Sequence, residues 1–172
     1  MSMMAQLVSH KEAVVGKWLT RVIETYPPET ARFLRSQKDP FANPVGQATR
    51  QSLHTLVDLL IAGLDETAAR TALDPVIRVR AIQAFTPAQA VGFVFELKAI
   101  VRESLGPTSQ NSAELAELDG RIDRLALIAF DIYMQCREKI YELKANEMKN
   151  TTYKAFARAG LIKDPDQGAD NE

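Results

Sequence analysis

The sequence predicts an all-α protein, a single-domain helical bundle with a long C-terminal helix. Three observations lead there. Apolar residues recur every three or four positions through most of the chain. Helix-start residues such as Asn43-Pro44, Asp74-Pro75 and Thr86-Pro87 stand ahead of these stripes, and Gly63 and Gly106-Pro107 stand behind them. No set of alternating runs supplies the partner strands a sheet needs. A chain of 172 residues is long enough for one domain with a real core.

The first helix is expected from about Met4 to Thr25, with Leu7, Val14, Val15, Trp18, Leu19, Val22 and Ile23 as its stripe. Ser9 with Glu12 three residues on is an alternative, later cap. Tyr26-Pro27-Pro28 ends the helix, and a short one over Pro28 to Ser36 offers Phe33 and Leu34 to the core. After the proline-rich loop Lys38 to Gly46, a third helix runs from about Pro44 to Ala62. It turns Leu53, Leu56, Val57, Leu60, Ile61 and Leu64 inward. Asp65 to Thr71 is expected to form a helical turn or two before a fresh start at Asp74-Pro75.

Ile77 to Ala81 alternates apolar and polar with period two, the pattern of a strand. A lone strand has nowhere to place its hydrogen bonds, so the segment is read as helix. Arg78 and Arg80 then point in different directions among apolar neighbours, and each needs a carboxylate, carbonyl or anion nearby.

The organising helix begins at Thr86, Pro87 and Gln89, which have the spacing of a capping box, and runs to Leu105. Ala90, Val91, Phe93, Val94, Phe95, Leu97, Ile100, Val101 and Leu105 cover well over half its circumference, so it should be central. Lys98 falls inside that arc and is read as a lysine that reaches water along its stem.

The last long helix starts at Asn111 or Ser112, with Asn111 preferred because Glu114 follows at capping-box spacing. It continues to about Asn146 or beyond on a seam of Leu115, Leu118, Ile122, Leu125, Ala129, Ile132, Cys136, Ile140 and Leu143. Leu125 to Met134 is apolar on all sides except at Asp131, which predicts a buried segment and a desolvated acid. Arg78 or Arg80 is the expected partner of Asp131. Glu114, Glu117, Asp119 and Asp123 interleave with Arg121 and Arg124, a pattern read as a solvated face with local ion pairs. Tyr153 to Ile162 is expected to add a short amphipathic helix. Residues 1–162 thus form one helical domain, and 163–172 an acidic, disordered tail.

Several function classes fall away. A net charge of −1 lacks the basic excess of a nucleic-acid binder. One cysteine, Cys136, rules out an internal disulfide and fits a reducing compartment. No segment is long and uncharged enough to span a bilayer and the N-terminus has no signal-peptide run, so the cytoplasm is the expected location. His10 and His54 are the only histidines and join no ligand-spaced set, so no haem, metal or other cofactor is expected. No glycine-rich phosphate loop, nucleophile elbow or convergent acid pair is found, and no catalytic residue is assigned.

Four stretches carry a resemblance. They are Trp18 through Tyr26-Pro27, Asp39-Pro40-Phe41-Ala42-Asn43-Pro44-Val45-Gly46, Ile77-Arg78-Val79-Arg80-Ala81-Ile82-Gln83, and Phe85-Thr86-Pro87-Ala88-Gln89-Ala90-Val91-Gly92-Phe93. Together, over roughly His10 to Lys149, the chain resembles the RsbRD-type N-terminal domain, named for co-antagonists of the RsbT kinase in bacterial stress signalling. The resemblance implies a non-catalytic sensory or regulatory domain, with a globin-like helical arrangement that holds no haem. Co-antagonists of this type also carry a C-terminal STAS domain that is phosphorylated and binds the kinase. Asn150 to Glu172 is too short for one, so those properties are not expected to carry over.

The resulting expectation is a regulatory module acting by protein–protein interaction, with a protein partner and as a homodimer. The alternative is a carrier or sensor of a small apolar or anionic ligand held between helices near Arg78, Arg80, Lys98 and Asp131. An enzyme of unrecognised type comes third.

Overall fold

Helices are the only regular elements among the described residues (2–83, 85–105 and 113–162) of this computed structural model. They are α1 (Met3–Ser9), α2 (Lys11–Glu24), α3 (Pro28–Ser36), α4 (Pro44–Ala62), α5 (Glu66–Ile82), α6 (Pro87–Val91), α7 (Phe93–Ser104) and α8 (Ala113–Arg158). The chain divides into two compact units, Met1–Cys136 and Arg137–Glu172. The core lies in the first. It is built on α4 against α5 and α2 against α7 and α4, around Trp18, Leu53, Leu56, Leu73, Ile77, Phe93 and Leu118.

The inward stripes of α2 and α4 fall where the 3.6-residue period places them, with Trp18, Leu53 and Leu56 fully buried. The short α3 differs: Ala31 is its buried residue, Leu34 is half-buried, and Phe33 faces solvent. The expected first helix is two. His10 leaves helical geometry at φ −104° and ψ 6°. The Ser9 hydroxyl donates to the Gln6 carbonyl at 2.8 Å, and His10 Nδ1 lies 2.8 Å from the same oxygen. Such local side-chain bonds compete with continuation of the helix.

The two expected pieces after Asp65 are instead one helix, α5, with Pro75 in its interior. Asp65 caps it, accepting from the Ala68 N–H at 2.7 Å. An interior proline costs a helix about 3 kcal/mol. Here Leu73, Val76 and Ile77 are buried on either side of it against the core, and that packing outweighs the lost hydrogen bond. Asp74 does not start a new helix. It grips Arg78 one turn on, with Nη2 to Oδ1 at 2.7 Å.

The Thr86–Gln89 capping box forms in both directions, with 3.2 Å from the Gln89 N–H to Thr86 and 3.0 Å from the Thr86 N–H to Gln89. The helix it starts is interrupted at Gly92, which separates α6 from α7. A Cβ at Gly92 would come within 2.6 Å of the Ala88 carbonyl oxygen, so the glycine belongs to the tightened turn.

The residues expected to cap α8, Asn111 and Ser112, lie outside the described residues, as does the expected tail 163–172. The helix itself passes through Tyr153 without a break as far as Arg158, where a separate short helix was expected. The acids of its first turns are not a purely solvated face. Asp119 pairs with Arg102 and Asp123 with Lys98, both of α7, and Arg124 pairs with Glu66 of α5. Glu114 accepts the Met3 N–H at 2.6 Å. Arg121 holds Glu117 at 2.5 Å and also donates to the Leu60 carbonyl at 2.6 Å, satisfying an open acceptor at the end of α4. In the second unit the side chains from Arg137 onward are mostly exposed; Arg137 donates to the Tyr141 hydroxyl at 2.7 Å.

The Asn43 side chain makes three hydrogen bonds. Its Oδ1 accepts the Gly46 N–H at 2.8 Å, and its Nδ2 donates to the carbonyls of Leu34 and Gln37 at 3.2 and 3.1 Å. It caps α4 and closes the end of α3 at once. A Cβ at Gly46 would sit 2.3 Å from Asn43 Nδ2. Gly46→Ala should therefore cost about 1–2 kcal/mol in urea unfolding, the value of a lost cap. In the Asn43→Ala background the same change should cost clearly less, because the two act on one interaction.

Candidate functional site

Arg80 is the group around which a site is built. It follows Leu73, Val76 and Ile77 at helical intervals, so α5 carries it inward with its apolar face. The residue is 0% exposed. Its Nε donates to the Ala90 carbonyl at 3.1 Å, and its Nη2 donates to the Gln89 carbonyl at 2.9 Å and to Thr25 Oγ1 at 2.8 Å. Those carbonyls end α6, where the backbone has a negative partial charge. Three aromatic rings surround the guanidinium, with their centroids 4.5 Å (Phe85), 5.0 Å (Phe93) and 5.3 Å (Tyr26) from its carbon.

No carboxylate pairs with Arg80 among these contacts. Carbonyl dipoles and ring faces hold a full positive charge out of water. Burial pushes its pKa down, and Tyr26 opposes that shift. Nη1 is buried with no hydrogen-bond partner. An unmade bond of that kind costs on the order of 1–3 kcal/mol.

Neighbouring residues fix the cage. Thr25 and Tyr26 follow α2, and Thr25 Oγ1 also donates to the Val22 carbonyl at 2.6 Å. Phe85 is set by its carbonyl, which accepts from the Tyr133 hydroxyl of α8 at 2.8 Å. The Phe93 carbonyl accepts Trp18 Nε1–H at 2.7 Å. Beside the cage lies a cleft of about 210 Å³ walled by Tyr26, Pro44, Ala48, Pro75, Val76 and Val79. Tyr26, Val76 and Val79 link it to the Arg80 surroundings: the first stacks on the guanidinium, and the other two lie on α5 four and one residues before it.

The four residues singled out from the sequence do not converge. Arg78 is exposed and bonded to Asp74, whose hydrogen bond and charge hold its pKa above the ordinary value. Lys98 pairs with Asp123 of α8 at 2.6 Å, its side chain about a quarter exposed. Asp131 is not desolvated: its side chain is 62% exposed and pairs with Arg70 at 3.3 Å, not with Arg78 or Arg80. The apolar run around it is buried on one side only. Leu127 is 67% and Phe130 44% exposed, and Met134 is exposed beside them. Residue type marks a helix face as apolar, but only neighbours can bury it.

The cage residues Thr25, Tyr26, Phe85, Gln89 and Phe93 were not foreseen as a group. A signal was present for Arg80, which continues the Leu73, Val76, Ile77 stripe while Arg78 leaves it. Nothing in the linear pattern brings Thr25 to it across 55 positions. No cluster of three or more His, Cys, Asp or Glu that could hold a metal occurs among the described residues. His54 instead sits 3.6 Å from Glu12.

The RsbT co-antagonist protein rsbRD N-terminal domain matches residues 12–148. The chain belongs to that family. The RsbRD N-terminal domain is a regulatory signalling domain, and the match takes in the whole Arg80 cage and α8 as far as Met148. No curated protein and no solved structure matches the chain. Among the described residues of this RsbRD N-terminal domain no helix is long and apolar enough to cross a membrane.

Arg80→Met leaves the Gln89 and Ala90 carbonyls and Thr25 without their donor, and should lower stability by roughly 3 kcal/mol or more in chemical denaturation. Arg78→Met and Asp131→Ala break only exposed pairs and should each stay within about 0.5 kcal/mol of the parent.

Proposed function

We propose that this RsbRD N-terminal domain is a non-catalytic, cytoplasmic regulatory module of the stress-signalling type that acts through protein contacts as a homodimer. The family match over residues 12–148 carries this reading. A family that works by partner switching needs surfaces that associate and release. Leu127, Phe130 and Met134 supply one: they lie three and four residues apart on α8 and are all exposed. An apolar strip of that kind on a helix is typical of an interaction face. Asp131, in its ion pair with Arg70, gives the strip a polar edge.

In sedimentation velocity the whole chain should run as a dimer that dissociates on dilution. Combining Leu127→Glu with Phe130→Glu should yield a monomer with unchanged helical circular dichroism, because both residues are exposed and leave the core intact. A parent chain that is monomeric at high micromolar concentration would reject the dimer. A double variant that is still dimeric would reject this strip as its interface.

A further inference from the structure

We propose that the Arg80 cage and the adjoining cleft form a receptor site for a small monocarboxylate with a short apolar body. The carboxylate meets the guanidinium and the body fills the cleft between α4 and α5. Three observations carry the idea. Arg80 is wholly buried, with carbonyls, a hydroxyl and ring faces around it and no acid paired with it among the described residues. One edge of its guanidinium, Nη1, has no acceptor, although Nε and Nη2 are fully engaged. The 210 Å³ cleft next to it is lined by apolar side chains and Thr49, with no charged residue in its walls.

These features select the ligand. A buried cation short of one acceptor favours an anion that brings its own lone pairs, and a carboxylate suits a guanidinium edge. Apart from Thr49 and the Tyr26 hydroxyl the cleft walls offer the remainder of the molecule apolar contact, which disfavours sugars and polyanions. Its volume admits a body the size of a single ring. Arg80 does not itself line the cleft; Tyr26 is common to both, so the Tyr26 ring must turn aside for a carboxylate to reach Nη1. The existing bonds to Ala90, Gln89 and Thr25 remain in place, and the ligand supplies the missing one together with what Tyr26 gives the charged guanidinium before its ring turns. Another cavity touching the cage, lined by Thr25, Gln89 and Phe93, is rimmed by Glu24 and Glu96 with Arg21 as its one base, so its charge balance favours an anion less than the uncharged cleft does.

The test uses benzoate as the probe and benzamide, its uncharged counterpart, as the control. In the full chain carrying ¹⁵N-arginine, benzoate should shift the Arg80 guanidinium resonance saturably and leave Arg78 unmoved. Benzamide should bind at least about tenfold more weakly, the loss expected without the charged bond. Ala48→Leu narrows the cleft without touching the guanidinium, and should abolish the benzoate shift while the protein still melts cooperatively. Equal shifts with benzoate and benzamide, or none with benzoate at millimolar concentration, would overturn the proposal, and neither result depends on a variant that must fold. The dimer and its α8 strip are measured separately, so failure here leaves that reading untouched.

Discussion

A positive charge sealed inside an apolar core is the constraint on which the first unit is organised. Arg80 cannot reach water, so the chain around it supplies what water would. Two carbonyls come from the end of α6, a hydroxyl from just beyond α2, and ring faces from three separate segments. These groups come together only in the assembled bundle, and the buried charge makes their assembly obligatory. A leucine in its place would pack with many arrangements of neighbours. A guanidinium accepts few, because its donors are directional and its desolvation must be offset by particular atoms.

The break between α6 and α7 belongs to the same arrangement. Arg80 takes carbonyls of Gln89 and Ala90, Gly92 allows the tightened turn, and Trp18 takes the Phe93 carbonyl immediately after it. A helix that would otherwise run straight from Thr86 to Leu105 is thereby held at its irregular point by side chains from α5 and α2. The remaining ties come from α8, whose early acids and arginines reach α7, α5 and the end of α4. The exposed Arg124–Glu66 pair contributes little to stability, while Asp119 and Lys98 are partly buried in theirs.

Much of the fold was legible in the sequence, because local rules decided it. The Thr86–Gln89 capping box, the Asn43 cap and the stripes of α2 and α4 depend on residues within a turn or two of one another. The errors came where distant packing overrode a local signal. Pro75 reads as a helix start, yet burial of Leu73, Val76 and Ile77 carries the helix through it. Leu125 to Met134 reads as buried all round, yet Leu127 and Phe130 are exposed and Asp131 stays in water. At the candidate site the heptad-like continuation of Leu73, Val76 and Ile77 distinguishes Arg80 from Arg78. Its partners could not be read because Thr25 and the ring of Tyr26 approach from more than fifty residues away.

Trp18 has one more consequence. It is the chain's single indole, wholly enclosed, with its N–H bound to the Phe93 carbonyl and its ring 6.0 Å from that of Phe93. Ultraviolet emission excited at the red edge of protein absorbance therefore originates at the α2–α7 contact and nowhere else. The protein carries its own optical gauge of that junction, needing no dye.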